Sequence, residues 1–275
     1  MSAIAMRRFL AAAVQLCAGS DKAANLAKAE GFVREAAGRG AALVVLPEVF
    51  LWRGPRPQEI EAAESIPGPA TERLAALARE LGIHLLGGSI LERVPGETKA
   101  FNTSCLFDPR GELVARYRKA HLFDVDIPGH VTIRESDTRQ GGSDLVTVDT
   151  ELGRIGLSVC YDLRFPELYR RLTRTGTQII TLPSAFTFPT GAAHWEILIR
   201  ARAIENQVYV IAPDQIGRSP SGFNDFGNSM IVDPWGKPLA RAADRETVIV
   251  AEIDLDYLDR VRQELPCLAH AKFTA

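Results

Sequence analysis

A cysteine at the end of a buried strand, followed by a sharp turn into a helix, presents a nucleophile on a rigid base. The chain has one such place. Ile155 to Val159 is an apolar run, Cys160 follows it, and Asp162, Arg164 and Pro166 lead into a segment with helical character. A thiol attacks as the thiolate, so Cys160 needs a base and a favourable charge nearby. Two other polar side chains occupy equivalent positions. Glu48 closes the apolar run Leu43 to Leu46, and Lys119 follows Glu112 to Tyr117, which reads as a strand. If these strands are neighbours in one sheet, carboxylate, ammonium and thiol cluster at one edge. The carboxylate can then take the thiol proton, and the lysine can hold an oxyanion and favour the thiolate. Spacing alone leaves plainer readings open. A cysteine at a strand end is commonly a small buried hydrophobe, Glu48 a solvated turn residue, and Lys119 an ordinary surface lysine.

The elements that must position these groups can be read in chain order. Leu10 to Leu16 is a first strand, and Asp21 caps a helix to about Gly38. Ala41 to Leu46 is a strand, and a proline-rich loop follows. Thr71 to Leu81 is a helix stopped by Gly82. His84 to Leu91 reads as one strand. Phe101 to Phe107 and Glu112 to Tyr117 are strands joined by a turn at Asp108 to Gly111. Residues 119–142 show no clear period and read as a long irregular segment, usually functional or disordered. Strands are expected at 145–148, 155–159, 177–182, 208–212, 229–232 and 247–253, with helices at 192–207 and 254–264. Helices and strands interleave, and hairpin turns separate several strands. That predicts an α/β chain with mixed sheets, organised as one domain over residues 1–275.

Composition narrows the class. At 46% hydrophobic the chain can bury a large core, and a net charge of −2 gives no footprint for nucleic acid or a membrane surface. The four cysteines lie far apart and form no CxxC pair, which argues against a disulfide scaffold or a zinc site and for a reducing compartment. No apolar run approaches the roughly 20 residues of a membrane span. Arg7 and Arg8 before the apolar run Phe9 to Cys17 resemble a leader. Gln15 interrupts that run, and Leu16 stands where cleavage needs a small residue, so the expectation is a cytoplasmic protein.

Leu46-Pro47-Glu48, Arg118-Lys119-Ala120-His121-Leu122 and the stretch Cys160 to Glu167 resemble the three signatures of the nitrilase (carbon–nitrogen hydrolase) superfamily. The resemblance continues through Pro183 to Phe186, Thr190 to Trp195, Arg200 to Asn206 and Val232 to Gly236, and covers about residues 9–270. It implies a four-layer αββα sandwich that pairs into homodimers or larger assemblies. It implies Cys160 as nucleophile, Glu48 as general base, Lys119 as the oxyanion lysine and the Tyr161 N–H as second oxyanion donor. A second glutamate near the site maps to Glu135. Arg164, four residues after the cysteine, would grip a substrate carboxylate as in carbamoylase relatives, or else pair with Asp162 or Glu167. Phe186, just past a strand end, is expected to line the pocket.

No metal or cofactor is implied; the partner is a small-molecule amide. Within the superfamily the motifs lie nearest the branch that holds omega-amidases and deaminated-glutathione amidases. The implied reaction is hydrolysis of an amide at the far end of a small 2-oxo acid. An N-carbamoyl amino acid hydrolase is the nearer alternative. A true nitrilase is disfavoured, because Tyr161 stands where those enzymes carry tryptophan. A scaffold on a dead fold should lack one of the three groups, and a cysteine protease would need His121 or His194. His194 and Trp195 read as packing or interface residues, Glu167 as a buried structural or subunit-contact carboxylate, and Cys17, Cys105 and Cys267 as ordinary thiols. Asn228 replaces a histidine common in the family.

Overall fold

The first strand, Arg8–Gln15, alternates with period two. Ala11 and Ala13 point into one apolar cluster, and Ala12 and Val14 into another. Ala41–Val45 behaves the same way, with Leu43 and Val45 on one side and Val44 on the other. Both strands are therefore buried on two faces, which explains why they read as continuous apolar runs and not as an alternation. In the structure, a computed structural model that describes residues 6–129 and 131–273, these strands sit inside a mixed eight-stranded sheet. Thr247–Asp254 flanks the first strand antiparallel, while Ala41–Val45 and then His84–Leu86 continue parallel from it.

A second, six-stranded sheet carries Gly153–Leu157, Ile179–Thr181 and Tyr209–Ala212 in parallel at its centre. One apolar cluster runs from Ala13, Val45 and Leu86 of the first sheet to Leu157, Ile180 and Val210 of the second, so the sheets pack face to face. Helices Lys22–Gly38 and Pro69–Leu81 cover the outer face of the first sheet through Val33, Leu74 and Leu77. Helices Pro166–Arg174 and Phe188–Asn206 cover the second through Tyr169, Leu172, Trp195 and Ile199. The layers run helix, sheet, sheet, helix. This is the expected αββα sandwich.

Three expectations change. The single strand expected over 84–91 is two, His84–Leu86 and Ile90–Glu92. Gly88, at φ +52°, breaks it, and an added Cβ there would meet the Pro47 carbonyl at 2.0 Å. The 119–142 segment is not irregular. It holds the ribbon Asp124–Ile127 with Val131–Arg134, a 3₁₀ turn Glu135–Asp137 and a short strand Arg139–Gln140 against the first sheet. Its weak period reflects two-residue and four-residue elements too short to leave one. The strands Ile216–Arg218, Asn224–Phe226 and Pro238–Arg241 were not anticipated, for the same reason. No helix among the described residues is long and apolar enough to cross a membrane.

The break at Gly88 has a structural use. It lets Ser89 Oγ accept the Val49 N–H at 2.9 Å, which pins the turn carrying Glu48. Replacing Gly88 by alanine drives a Cβ into the Pro47 carbonyl and puts a side chain at positive φ, at a cost of about 2 kcal/mol or more. For a chain of this size a Gly88→Ala variant should melt about 4 °C or more below the parent in a thermal scan. An unchanged midpoint would show that the turn relaxes freely.

Candidate active site

Glu48 and Cys160 each lie just past a strand of a different sheet, and both chain ends turn sharply there. Cys160 has φ +49° and Val49, next to Glu48, has φ +44°. Left-handed conformations are costly for such residues and persist only where the surroundings hold them. The surroundings are specific. Cys160 N–H donates to the Pro183 carbonyl at 2.9 Å. The buried Asp162 carboxylate accepts from the Val159 N–H at 2.8 Å, from Tyr117 Oη at 2.7 Å and from the His121 N–H at 3.1 Å. The Glu48 N–H donates to Ser184 O and the Glu48 carbonyl accepts from Gln215 Nε2, which ties the first sheet's turn to the second sheet.

Lys119 follows Leu113–Arg118, the strand paired with Ala100–Phe107. It is 1% exposed, and its Nζ donates to Glu48 Oε1 and to Glu135 Oε2, both at 2.9 Å. Glu48 Oε1 also accepts from Asn102 Nδ2 at 2.7 Å. Glu135 Oε2 accepts from the Phe123 N–H at 2.8 Å, and its Oε1 accepts from Arg139 Nη1 at 2.6 Å. Arg139 in turn holds Glu59 through Nη2 at 2.7 Å and Nε at 3.2 Å. The result is a buried line of alternating charge: Glu48, Lys119, Glu135, Arg139, Glu59.

The charges set each other's protonation. Burial alone would strip the Lys119 proton, but Glu135 and then Glu48 outweigh it and hold the ammonium above the usual lysine range. Burial alone would neutralise Glu135, but Lys119 and Arg139 hold it below the usual carboxylate range. The same balance, with Arg139 as the cation, lowers Glu59. Cys160 goes the other way. Burial, then the Glu48 charge, raise its thiol well above the usual range, although Lys119 and the Ala185 N–H pull against them. The lysine therefore does not hold a resting thiolate, as the spacing argument allowed. Burial and the Glu48 charge hold Cys160 towards its neutral thiol, and it shares the cleft with the Glu48 carboxylate and the Lys119 ammonium that bonds to it. Such an array can take the thiol proton at the moment of attack and meet a developing oxyanion with a positive charge.

Cys160 lies where two lobes of a cleft meet. Both lobes are lined by Phe123, Ala185 and Thr187 as well as Cys160. Glu48, Lys119 and Glu135 line the larger, while Tyr161, Arg164 and Phe186 line the smaller. Among the described residues no acceptor takes the Tyr161 N–H. Arg164 pairs with neither Asp162 nor Glu167. It lies over the rings of Tyr161 and Phe186, 5.7 and 5.4 Å from their centroids, and 3.4 Å from His194 Nδ1.

A model of the carbon-nitrogen hydrolase family matches residues 10–263. The chain belongs to the carbon-nitrogen hydrolase family. It is a hydrolase of non-peptide carbon–nitrogen bonds. Human omega-amidase NIT2 is 43% identical over 261 residues, which cover 95% of this chain and 94% of that protein. The crystal structure of Saccharomyces cerevisiae Nit3, described as a branch 10 member of the nitrilase superfamily, superposes with a TM-score of 0.88. It is 36% identical over 99% of both chains. A mutant amidase from Nesterenkonia sp. AN1 is 27% identical, with a TM-score of 0.78 over 94% of this chain and 95% of that one. That amidase carries a covalent acetamide group on its active-site cysteine.

His121 Nδ1 lies 2.7 Å from Asp162 and its ring stacks on Phe165 at 3.7 Å, so it braces the turn and lines neither lobe. His194 is exposed and Trp195 is fully buried, donating from Nε1 to the Asn228 carbonyl at 2.8 Å. Asn228, where the family often has histidine, takes φ +57° and accepts a forked pair from Arg241 at 3.0 and 2.8 Å. Glu167 is exposed in the first turn of its helix and not buried within the chain. Cys17 is half-buried, Cys105 buried and Cys267 exposed. Asn102, Arg139 and Glu59 escaped the sequence reading. None has a local signal, since each acquires a partner only across the fold.

Removing one member of a buried charge pair leaves its partner uncompensated, at about 3–5 kcal/mol. Arg139→Met should destabilise the protein by that order in urea, and adding Glu59→Gln should recover part of the loss. The pH dependence follows from the lowered carboxylates. Their stabilisation is complete above the unfolded carboxylate range and drains away as pH falls through the lower folded values. The gap between parent and Arg139→Met should therefore close on acidification below about pH 4. A gap that is independent of pH would mean that Arg139 acts by packing alone.

Proposed function

We propose that the protein is a cysteine-dependent amidase that hydrolyses the far-end amide of a small 2-oxo acid, 2-oxoglutaramate or deaminated glutathione. The observation that carries this is Cys160 in one cleft with the hydrogen-bonded Glu48–Lys119–Glu135 array, and Arg164, without a carboxylate partner among the described residues, in the adjoining lobe. In this reading Cys160 Sγ attacks the amide carbon while Glu48 takes the thiol proton. The oxyanion is met by Lys119 Nζ and the Tyr161 N–H. Glu48 then protonates the departing nitrogen, the carbon–nitrogen bond breaks, and a thioester remains. Water attacks the thioester as Glu48 removes its proton, and the thiolate leaves and is reprotonated. Glu135 keeps Lys119 charged and in place. Arg164 takes the substrate carboxylate, and Phe186 and Tyr161 wall the acyl group. No step calls for a metal or cofactor.

The relatives named omega-amidase support an amidase reading, while an N-carbamoyl amino acid would also offer Arg164 a carboxylate. The same reading includes a homo-oligomer in the cytoplasm. It rests on the free cysteines and on an apolar strip exposed along Phe188–Asn206 and beyond, where Ile197 is 69% and Trp235 56% exposed. A second copy would cover that strip.

The test is product release by the purified protein. Ammonia should appear from 2-oxoglutaramate, and a dipeptide amine from deaminated glutathione. Release should vanish in Cys160→Ala and fall about 10²–10³-fold in kcat in Lys119→Met. Release from an N-carbamoyl amino acid alone would replace this reading with the carbamoylase. Silence on all three, with Cys160 inert to an alkylating agent, would sink the enzyme mechanism.

A further inference from the structure

Four arginines line the two lobes around Cys160, and they divide into two pairs. Arg53 is buried against Asp225, and Arg139 against Glu59 and Glu135. Arg164 and Arg56 have no carboxylate partner among the described residues. Arg164 belongs to the smaller lobe and Arg56 to the larger. Arg56 is half-buried and opens a 3₁₀ turn, Arg56–Gln58, between Pro55 and Pro57. Both prolines restrict the backbone, so the cation is held without the loop having to order on binding.

The side of the cleft that each substrate half occupies follows from the chemistry. The scissile carbon must lie at Cys160, where the lobes meet. The leaving nitrogen must lie within reach of the group that protonates it, and Glu48 lines only the larger lobe. The acyl half then occupies the smaller lobe with Arg164, and the amine half the larger. With the open solvent at their mouths included, the larger lobe spans about 580 Å³ of empty space and the smaller about 190 Å³. Ammonia needs none of that room. Resting on the amidase reading above, we propose that Arg56 anchors a carboxylate carried by the leaving amine. The preferred substrates are then N-substituted amides with an anionic group at each end. Arg56 also adds positive potential at Glu59, but the two form no ion pair. Serving Glu59 is the competing role.

Three substrates separate the roles: 2-oxoglutaramate, deaminated glutathione, and deaminated glutathione with its terminal carboxylate converted to the neutral carboxamide. The parent should favour the carboxylate form over the carboxamide by about tenfold in kcat/KM, the size of one charge-assisted hydrogen bond. That preference should sit in KM. It should disappear in Arg56→Gln, invert in Arg56→Glu and return in part in Arg56→Lys, with thermal scans confirming that each variant folds. Equal treatment of the two forms by the parent overturns the proposal. So does an Arg56→Gln variant that loses activity equally on both forms, which would assign Arg56 to Glu59. Turnover of 2-oxoglutaramate alone overturns it too, while leaving the amidase reading intact. Turnover of none of the three removes the amidase reading itself.

Discussion

An ammonium buried between two carboxylates is the interaction on which the rest of this site depends. Lys119 is 1% exposed, so its charge survives only because Glu48 and Glu135 each accept a hydrogen bond from it. Two anions around one cation are not self-sufficient in a dry interior. Glu135 is shared with Arg139, and Arg139 in turn with the buried Glu59. Each group is expensive to bury alone, and each becomes tolerable through its neighbour. A change at the far end of the line is therefore felt at Lys119, although neither Arg139 nor Glu59 touches the thiol.

This electrostatic arrangement also explains the state of Cys160. A thiol beside a free lysine is drawn towards the thiolate. Here the lysine is already claimed by two carboxylates, one of which faces the thiol, and burial adds to the effect. The nucleophile is held towards its neutral form, and the carboxylate beside it is fixed by hydrogen bonds from Lys119 and Asn102. The backbone contributes as well. The two groups leave different sheets at turns with positive φ at Cys160 and at Val49 beside Glu48, and only the packing of the sheets, pinned by Glu48 to Ser184 and Gln215, brings them together.

Much of the fold was legible because the central strands are buried on both faces. Val44, Val45, Leu157 and Ile180 have apolar neighbours whichever way they point, so the runs stand out without any period. The helix Lys22–Gly38 was legible through its Asp21 cap, which accepts from the Ala24 N–H. Reading failed where elements were short. The ribbon at 124–134 and the strand 139–140 carry too few residues for a period, yet they place Glu135 and Arg139.

The sequence by itself determined which groups are available: a thiol, a carboxylate and an ammonium, each at the end of an apolar run, in motifs specific enough to name a family. Only the tertiary structure decided which charges pair. Asp162 goes to Tyr117 and His121 and not to Arg164; Arg139 goes to Glu59 across most of the site; and Arg56 and Arg164 are left without carboxylates. The physical reason is that strand periodicity is written in neighbouring residues, whereas the partner of a buried charge is chosen by desolvation. Desolvation depends on which distant segments the packed sheets bring within about 3 Å of it.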